Sequence, residues 1–285
     1  MTSPSSDVKR ELLGPDLSGQ VANLARQGGV RPFFRIGLIA VWTSASLFVL
    51  LAGRLALVVA PKRRPRWRNW VVRRWARGMG AIVGMRVRVS GPIPKAPFFL
   101  VTNHLSYVDI VLLFGQVDCV FVSKHEVKSW PVVGYLTRAV GTIFVDRERR
   151  RDAVRVLGEI DQAVAGGDGV VVFPEGTSSE GGDVYPMKPA LFEWAARTGY
   201  PVHFAAIRYE CDPGSPPAWQ VVSWWGDSSF APHVMQLCRL PGFRAEVTFG
   251  AEPLRSHDRG ELARLAQAAV AGQFVPMVLK EGIQG

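Results

Sequence analysis

Negative charge is missing from a long stretch of this chain. Between Leu17 and Val108 there is no Asp or Glu, while fifteen Lys and Arg fall in the same interval. The rest of the 285 residues carries 19 basic against 24 acidic side chains, so the net charge of +10 belongs to the front end. A nucleic-acid binder can show such an excess. Its cations would not flank a long lipophilic run, however, and no nucleic-acid partner is expected.

Cysteine is scarce as well. Cys119, Cys211 and Cys238 are odd in number and far apart, which excludes a disulfide framework and a metal-ligand cluster and points to a reducing compartment. The five histidines form no metal triad, and no metal is expected. A G-x-S-x-G elbow is absent. Internal repeats are also absent.

What is present begins with "IGLIAVWTSASLFVLLAGRLALVVA", Ile36 to Ala60, about long enough to cross a bilayer and interrupted only by Arg54. A charge near a helix end can snorkel toward head groups. The run begins too far from Met1 for a secretory signal. Eight basic residues and three tryptophans follow between Pro61 and Arg77, a composition typical of the membrane interface on the cytoplasmic side. The spacing predicts helices over about 36–60 and 66–84. These form either a single spanning helix or a pair lying partly in one leaflet. The bland alternative is a buried helical hairpin, which would have little use for so many unpaired arginines. The chain thus divides into a polar, mobile segment 1–30, membrane-anchoring helices over 31–85, and an α/β domain over 86–285.

In that domain, expected strands are Val87–Val89, Phe98–Thr102, Val117–Ser123, Thr142–Val145, Val170–Phe173, Val202–Arg208, Gln220–Trp225 and Ala245–Phe249. Expected helices are Tyr107–Leu113, Arg151–Ala165, Lys188–Arg197, Pro232–Leu240 and Arg259–Phe274. The alternation predicts a largely parallel sheet flanked by helices. Ligand sites in such sheets gather beyond the carboxyl ends of the strands. Four of these ends are polar here: Asn103–His104, Ser123–Lys124, Asp146–Arg147 and Pro174–Glu175.

His104 and Asp109 cannot pair from one helix, because five residues turn about 140° around its axis. The chain must leave the strand, turn at His104 and open its helix afterwards. Ser106 suits the N-cap, and Asp109 then acts as a short-armed capping-box acid. From there its carboxylate can orient one imidazole nitrogen and leave the other free to take a proton. The bland reading is a capping acid beside a loop histidine. In "FPEGTSS", Gly176 allows close approach to an anion and Thr177 can donate a hydrogen bond. Glu175 suits accepting from a hydroxyl or pairing with a basic neighbour. His203, His233 and His257 read as structural.

"NHLSYVD" (103–109), "GTIFVDR" (141–147) and "FPEGTSS" (173–179) resemble three ordered blocks of the glycerolipid acyltransferase family. The resemblance is to the 1-acylglycerol-3-phosphate acyltransferases and bacterial lysolipid acyltransferases, and it extends over roughly 86–250. "FVSKHEVKSWPVVG" (121–134) and "YPMKPALFEWAARTGYPVHFAAI" (185–207) fit the same pattern. The resemblance implies acyl transfer from coenzyme A or acyl carrier protein to a lysolipid hydroxyl, with no bound cofactor. It makes His104 the general base and Asp109 its support. It places substrate contacts at Lys124, Arg147, Glu175, Gly176 and Thr177, on the cytoplasmic face of the cell membrane. Backbone N–H groups near Gly176 or in the His104 turn are candidate donors to the oxyanion. Lysophosphatidic acid is the leading acceptor. Ser178, however, stands where the family often carries arginine, the strongest phosphate fork, and this opens a lyso-amino-acid lipid such as a lyso-ornithine lipid as the alternative. A noncatalytic membrane adaptor and a membrane-surface hydrolase are the rivals from other classes.

Overall fold

The structure, a computed structural model, describes residues 29–146 and 152–278. Arg147 and nearly all of the expected mobile segment 1–30 lie outside the described residues.

Apolar residues at both helical and alternating periods set the elements along the chain. The first helix, α1 (Arg31–Ala56), opens with proline in its first turn, and α2 (Arg64–Val83) follows through a single 3-10 turn. α1 is long and apolar enough to cross a membrane by length and composition. Then come β1 (Met85–Ser90), β2 (Phe99–Thr102), α3 (Val108–Gln116), β3 (Cys119–Lys124), α4 (Val133–Ala139), β4 (Ile143–Val145), α5 (Asp152–Ala165) and β5 (Gly169–Val172). After β5 lie α6 (Glu193–Thr198), β6 (Val202–Cys211), α7 (Ala218–Val221), α8 (Phe230–Arg239), β7 (Phe243–Phe249) and α9 (Arg259–Gln273). One expected strand, Gln220–Trp225, is absent. α7 begins that segment, because Ala218, Trp219 and Val221 bury one face at helical spacing.

The seven strands lie in the order β1-β7-β6-β2-β5-β3-β4. β6, β2, β5, β3 and β4 run parallel, and the parallel pair β1/β7 joins antiparallel through β6. Alternate side chains serve two cores. Phe98, Leu100 and Val171 face the layer holding α2, α3 and α8, whereas Phe99, Val101, Val170 and Val172 face the layer of α5, α6 and α9. β2 therefore exits toward one helical layer and β5 toward the other, which opens a crevice between their carboxyl ends.

The front helices are fastened to this body by cations. Arg35 Nη1 donates to Leu240 O at 2.6 Å and Cys238 O at 3.3 Å, and Arg31 reaches Arg239 O, so together they cap the carboxyl end of α8. Arg54 Nη2 donates to Ala139 O at 2.6 Å, at the end of α4. Its guanidinium therefore meets the α/β domain rather than extending toward head groups as the sequence suggested. In α2, Arg68 pairs with Asp168 at 2.5 Å, Arg73 with Asp118 at 2.7 Å, and Arg77 donates to Gly115 O at 3.1 Å. Part of the basic segment is thus spent on the domain, correcting the expectation of unpaired arginines.

The opposite side of α1 is apolar and open. Phe34, Val41, Phe48 and Leu55 recur every seventh residue and are 67%, 68%, 73% and 77% exposed. On α2, exposed Trp70 stacks on Trp67 at 5.3 Å and lies under the Arg74 guanidinium, also at 5.3 Å.

Candidate functional site

β2 delivers the chain into the crevice. At its end, Asn103 Nδ2 donates to Ile207 O at 2.9 Å and its Oδ1 accepts from Ile207 N–H at 2.7 Å, locking β2 to β6 through a side chain that mimics a strand. The next residues turn sharply. His104 N–H donates to Glu175 Oε1 at 2.8 Å, and His104 O accepts from Ser179 N–H at 2.9 Å. Leu105 O accepts from Trp224 N–H at 2.9 Å. Both sides of the turn are held by backbone from other segments.

Asp109, in the first turn of α3, reaches back across this turn. Its Oδ2 lies 2.6 Å from His104 Nδ1 and accepts the N–H groups of Leu105 at 2.8 Å and Ser106 at 3.0 Å. Oδ1 accepts the Tyr209 hydroxyl from β6. The carboxylate is fully buried, whereas the His104 side chain is 22% exposed. A charge so buried is tolerated because donors surround it. The carboxylate acceptor assigns the proton to Nδ1, which leaves Nε2 as an acceptor toward the open side. Phe173, at the end of β5, stacks on the ring with centroids 4.1 Å apart and is itself stacked on Phe121. Two contacts therefore fix the ring's plane and rotation. Chemically, the arrangement can accept a proton and hold the resulting imidazolium.

The capping arrangement differs from expectation. The N-cap is Tyr107, and Ser106 Oγ makes no hydrogen bond although buried. Only the returning half of the capping box is formed, by Asp109. The proposed oxyanion donors in the turn are likewise occupied: the N–H groups of His104, Leu105 and Ser106 serve Glu175 and Asp109, and Gly176 N–H serves Phe173 O at 3.1 Å.

Glu175 is buried, and its partners are backbone N–H groups of His104 and Tyr185 (Oε2, 3.1 Å), not a hydroxyl or a cation. Burial pushes its carboxyl up to about 8, against the pull of those two N–H donors. Gly176 is buried at φ 76°, in the left-handed region, and turns the chain so that exposed Thr177 follows it. Ser178 Oγ donates to Trp224 O. Lys124 is exposed at the carboxyl end of β3, on the same sheet edge as His104.

Three site residues escaped the sequence reading. Tyr209 sits on β6 a hundred residues from its partner Asp109, and burial raises its hydroxyl well above the usual range. Its place in the inward alternation of β6 was the only signal. Tyr185 and Trp224 act mainly through backbone groups, which no residue type advertises. Trp224 belongs to an aromatic cluster in which Tyr107 meets Phe230 at 5.0 Å and Trp224 at 5.9 Å. Buried His233 supports it, lying between the Tyr107 hydroxyl at 3.1 Å and Ser223 O at 3.0 Å.

Residues 85–208 match the family model described as Acyltransferase. The lyso-ornithine lipid O-acyltransferase of Rhizobium meliloti (strain 1021) is 33% identical over 266 residues, spanning 86% of this chain and 88% of that protein. The lyso-ornithine lipid O-acyltransferase of Pseudomonas aeruginosa is 34% identical over 238 residues, 82% of this chain and 88% of the relative. A 1-acyl-sn-glycerol-3-phosphate acyltransferase of Neisseria meningitidis serogroup B is 34% identical over 152 residues, 53% of this chain and 60% of its own. The crystal structure of the 1-acyl-sn-glycerophosphate acyltransferase PlsC from Thermotoga maritima shares the fold, with a TM-score of 0.59 at 22% identity over 85% of this chain and 97% of that one. The three sequence blocks, the mixed sheet and near full-length relatives agree: this chain belongs to the lysolipid O-acyltransferase family.

Proposed function

We propose that this enzyme acylates the free hydroxyl of a lyso-ornithine-type lipid with His104 as general base. The observation that carries the chemistry is the 2.6 Å contact between His104 Nδ1 and buried Asp109, on a ring otherwise open to the crevice. Nε2 takes the hydroxyl proton as the lipid oxygen attacks the thioester carbonyl. The tetrahedral intermediate then expels the thiolate of coenzyme A or acyl carrier protein, which receives the proton from the imidazolium. Asp109 orients the ring and stabilises its cation. Lys124, Arg147, Gly176 and Thr177 are the proposed substrate contacts, and Glu175 contributes by holding the His104 backbone.

Ser178 favours the amino-acid lipid over lysophosphatidic acid. Where an arginine would present a fork to a phosphate monoester, this serine spends its hydroxyl on the Trp224 carbonyl. Relatives aligned over more than four-fifths of this chain carry the lyso-ornithine name. Lysophosphatidic acid remains the second reading, favoured by the Neisseria relative. A panel of lysolipid acceptors with one labelled acyl donor decides between them. Lyso-ornithine lipid is expected to react faster than lysophosphatidic acid by about tenfold or more. The reverse order overturns the acceptor assignment and leaves the base assignment standing.

The same reading places α1 in one leaflet on the cytoplasmic side. Arg31 and Arg35 dock one end, and Arg54 the other, on a single α/β body. That supports an in-plane helix whose open stripe faces acyl chains. Single cysteines at Val30 and Val59 should react with an impermeant maleimide from the same side of a sealed vesicle, and labelling from opposite sides would show a spanning helix.

A further inference from the structure

We propose that the turn entering α4, Trp130 to Tyr135, is a second membrane-contacting element, which inserts into the lipid interface beside α1 and leads toward His104. This rests on the membrane-facing reading of α1 and adds a segment far from it in sequence.

The turn is built to hold apolar side chains outward. Val132 is 72% exposed, Tyr135 48% and Trp130 36%. Val132 has φ 63° and ψ −57°, a conformation unfavourable for a β-branched residue. Val133 N–H closes a tight three-residue turn onto Pro131 O at 2.6 Å, and Gly134 N–H bonds Trp130 O at 2.9 Å. A Cβ on Gly134 would lie 2.2 Å from Lys128 O, so the tip is packed closely onto its own base. In water, this conformation exposes a valine for no intramolecular return. At a lipid interface, the same side chain gains burial.

Its surroundings fit a bilayer with anionic head groups. Lys124, His125, Lys128 and Arg138 are all exposed around the tip beside Glu126, and His125, Lys128 and Arg138 share a groove with Asp146, Asp152, Arg155 and Glu159. Tryptophan and tyrosine beside lysine and arginine characterise the membrane interface. α1 is tied to the same short helix, since Arg54 bonds Ala139 O at the end of α4, and exposed Leu55, Val58 and Val59 follow Arg54 in sequence. Inward, Trp130 meets Trp224 and Phe230, each at 6.1 Å, and both rings meet Tyr107, three residues after His104. Aromatic rings thus line the way from the tip to the base.

The test places a fluorophore on single added cysteines at Val132, at exposed Val58 just past the end of α1, and at Glu252 near the amino ends of the central strands. The full chain is bound to phosphatidylglycerol/phosphatidylethanolamine vesicles containing doxyl-labelled lipid, with the label on the unsubstituted protein subtracted for Cys211. Quenching at Val132 close to that at Val58, and well above Glu252, is the expected result. Quenching at Val58 but not at Val132 overturns the second element and spares the α1 reading. Quenching at neither position overturns both. Val132→Asp supplies the functional arm: transfer to lysolipid embedded in vesicles should fall about tenfold, equivalent to about 1.4 kcal/mol, while transfer to a short-chain, monomeric lysolipid stays within about twofold. Equal loss with both acceptors would instead mark a damaged site and count against the proposal.

Discussion

The turn at His104 and the front helices solve opposite problems with the same group, the hydrogen bond to a backbone. In the turn, three consecutive N–H groups end on two buried carboxylates, so the chain itself is immobilised around one ring. At the front, arginines reach across to carbonyls at the ends of α4 and α8 and Trp42 and Thr43 hydrogen-bond to Trp75 of α2, so one face of α1 is held while the other presents phenylalanine and valine outward. The first arrangement gives up freedom for orientation. The second fixes where a greasy surface points and leaves its partner to the surroundings.

The comparison breaks most sharply at His104. His104→Ala should lower transfer by about 10²–10⁴-fold with the melting temperature nearly unchanged, because the ring is partly exposed; transfer near the wild-type rate removes the base assignment. Asp109→Asn should come next. An amide cannot accept at both positions, so turnover should fall by about a hundredfold and stability by about 1–3 kcal/mol, checked by kinetics beside thermal unfolding. If stability alone falls, the acid is only a cap.

At the front end the effects should separate from chemistry. Phe34→Asp with Phe48→Asp should release the protein from vesicles by tenfold or more, since each buried phenylalanine contributes about 1.5–3 kcal/mol, while the rate on detergent-dispersed lysolipid holds within about twofold. A parallel loss in both assays would make the two regions one cooperative unit. The smallest effect concerns Glu175. Its folded carboxyl holds a proton up to about 8, whereas the unfolded chain releases it near 4.3. The folded state thus binds more protons across that window, and stability falls as pH rises through it. Melting temperature against pH should show this decline in the wild type and lose part of it in Glu175→Gln.

Much of the fold and of the His104 turn is legible in the sequence. Residues 98–104 read as strand then turn because a continuous apolar run stops at Asn103, and Asp109 could reach His104 only if the helix opened after it; both hold. The misreadings share a cause. Ser106 has a capping side chain by type, but the buried carboxylate three residues on outcompetes it for the turn. Arg54 and Arg68 look like lipid-facing cations in a one-dimensional run, yet tertiary partners at Ala139 and Asp168 claim them. Tyr209 and Trp224 could not be found from pattern, since what matters is which strand end and which carbonyl the fold brings opposite them.

Under the proposed in-plane placement, an anchoring rod pinned at both tips to one body keeps out of the far monolayer. If α1 does lie along the near sheet of lipid, substrate is collected and product released within that sheet. Any supply of the finished lipid to the other side of the bilayer must then come from a separate translocating protein, and the compositional asymmetry of the membrane begins at this step.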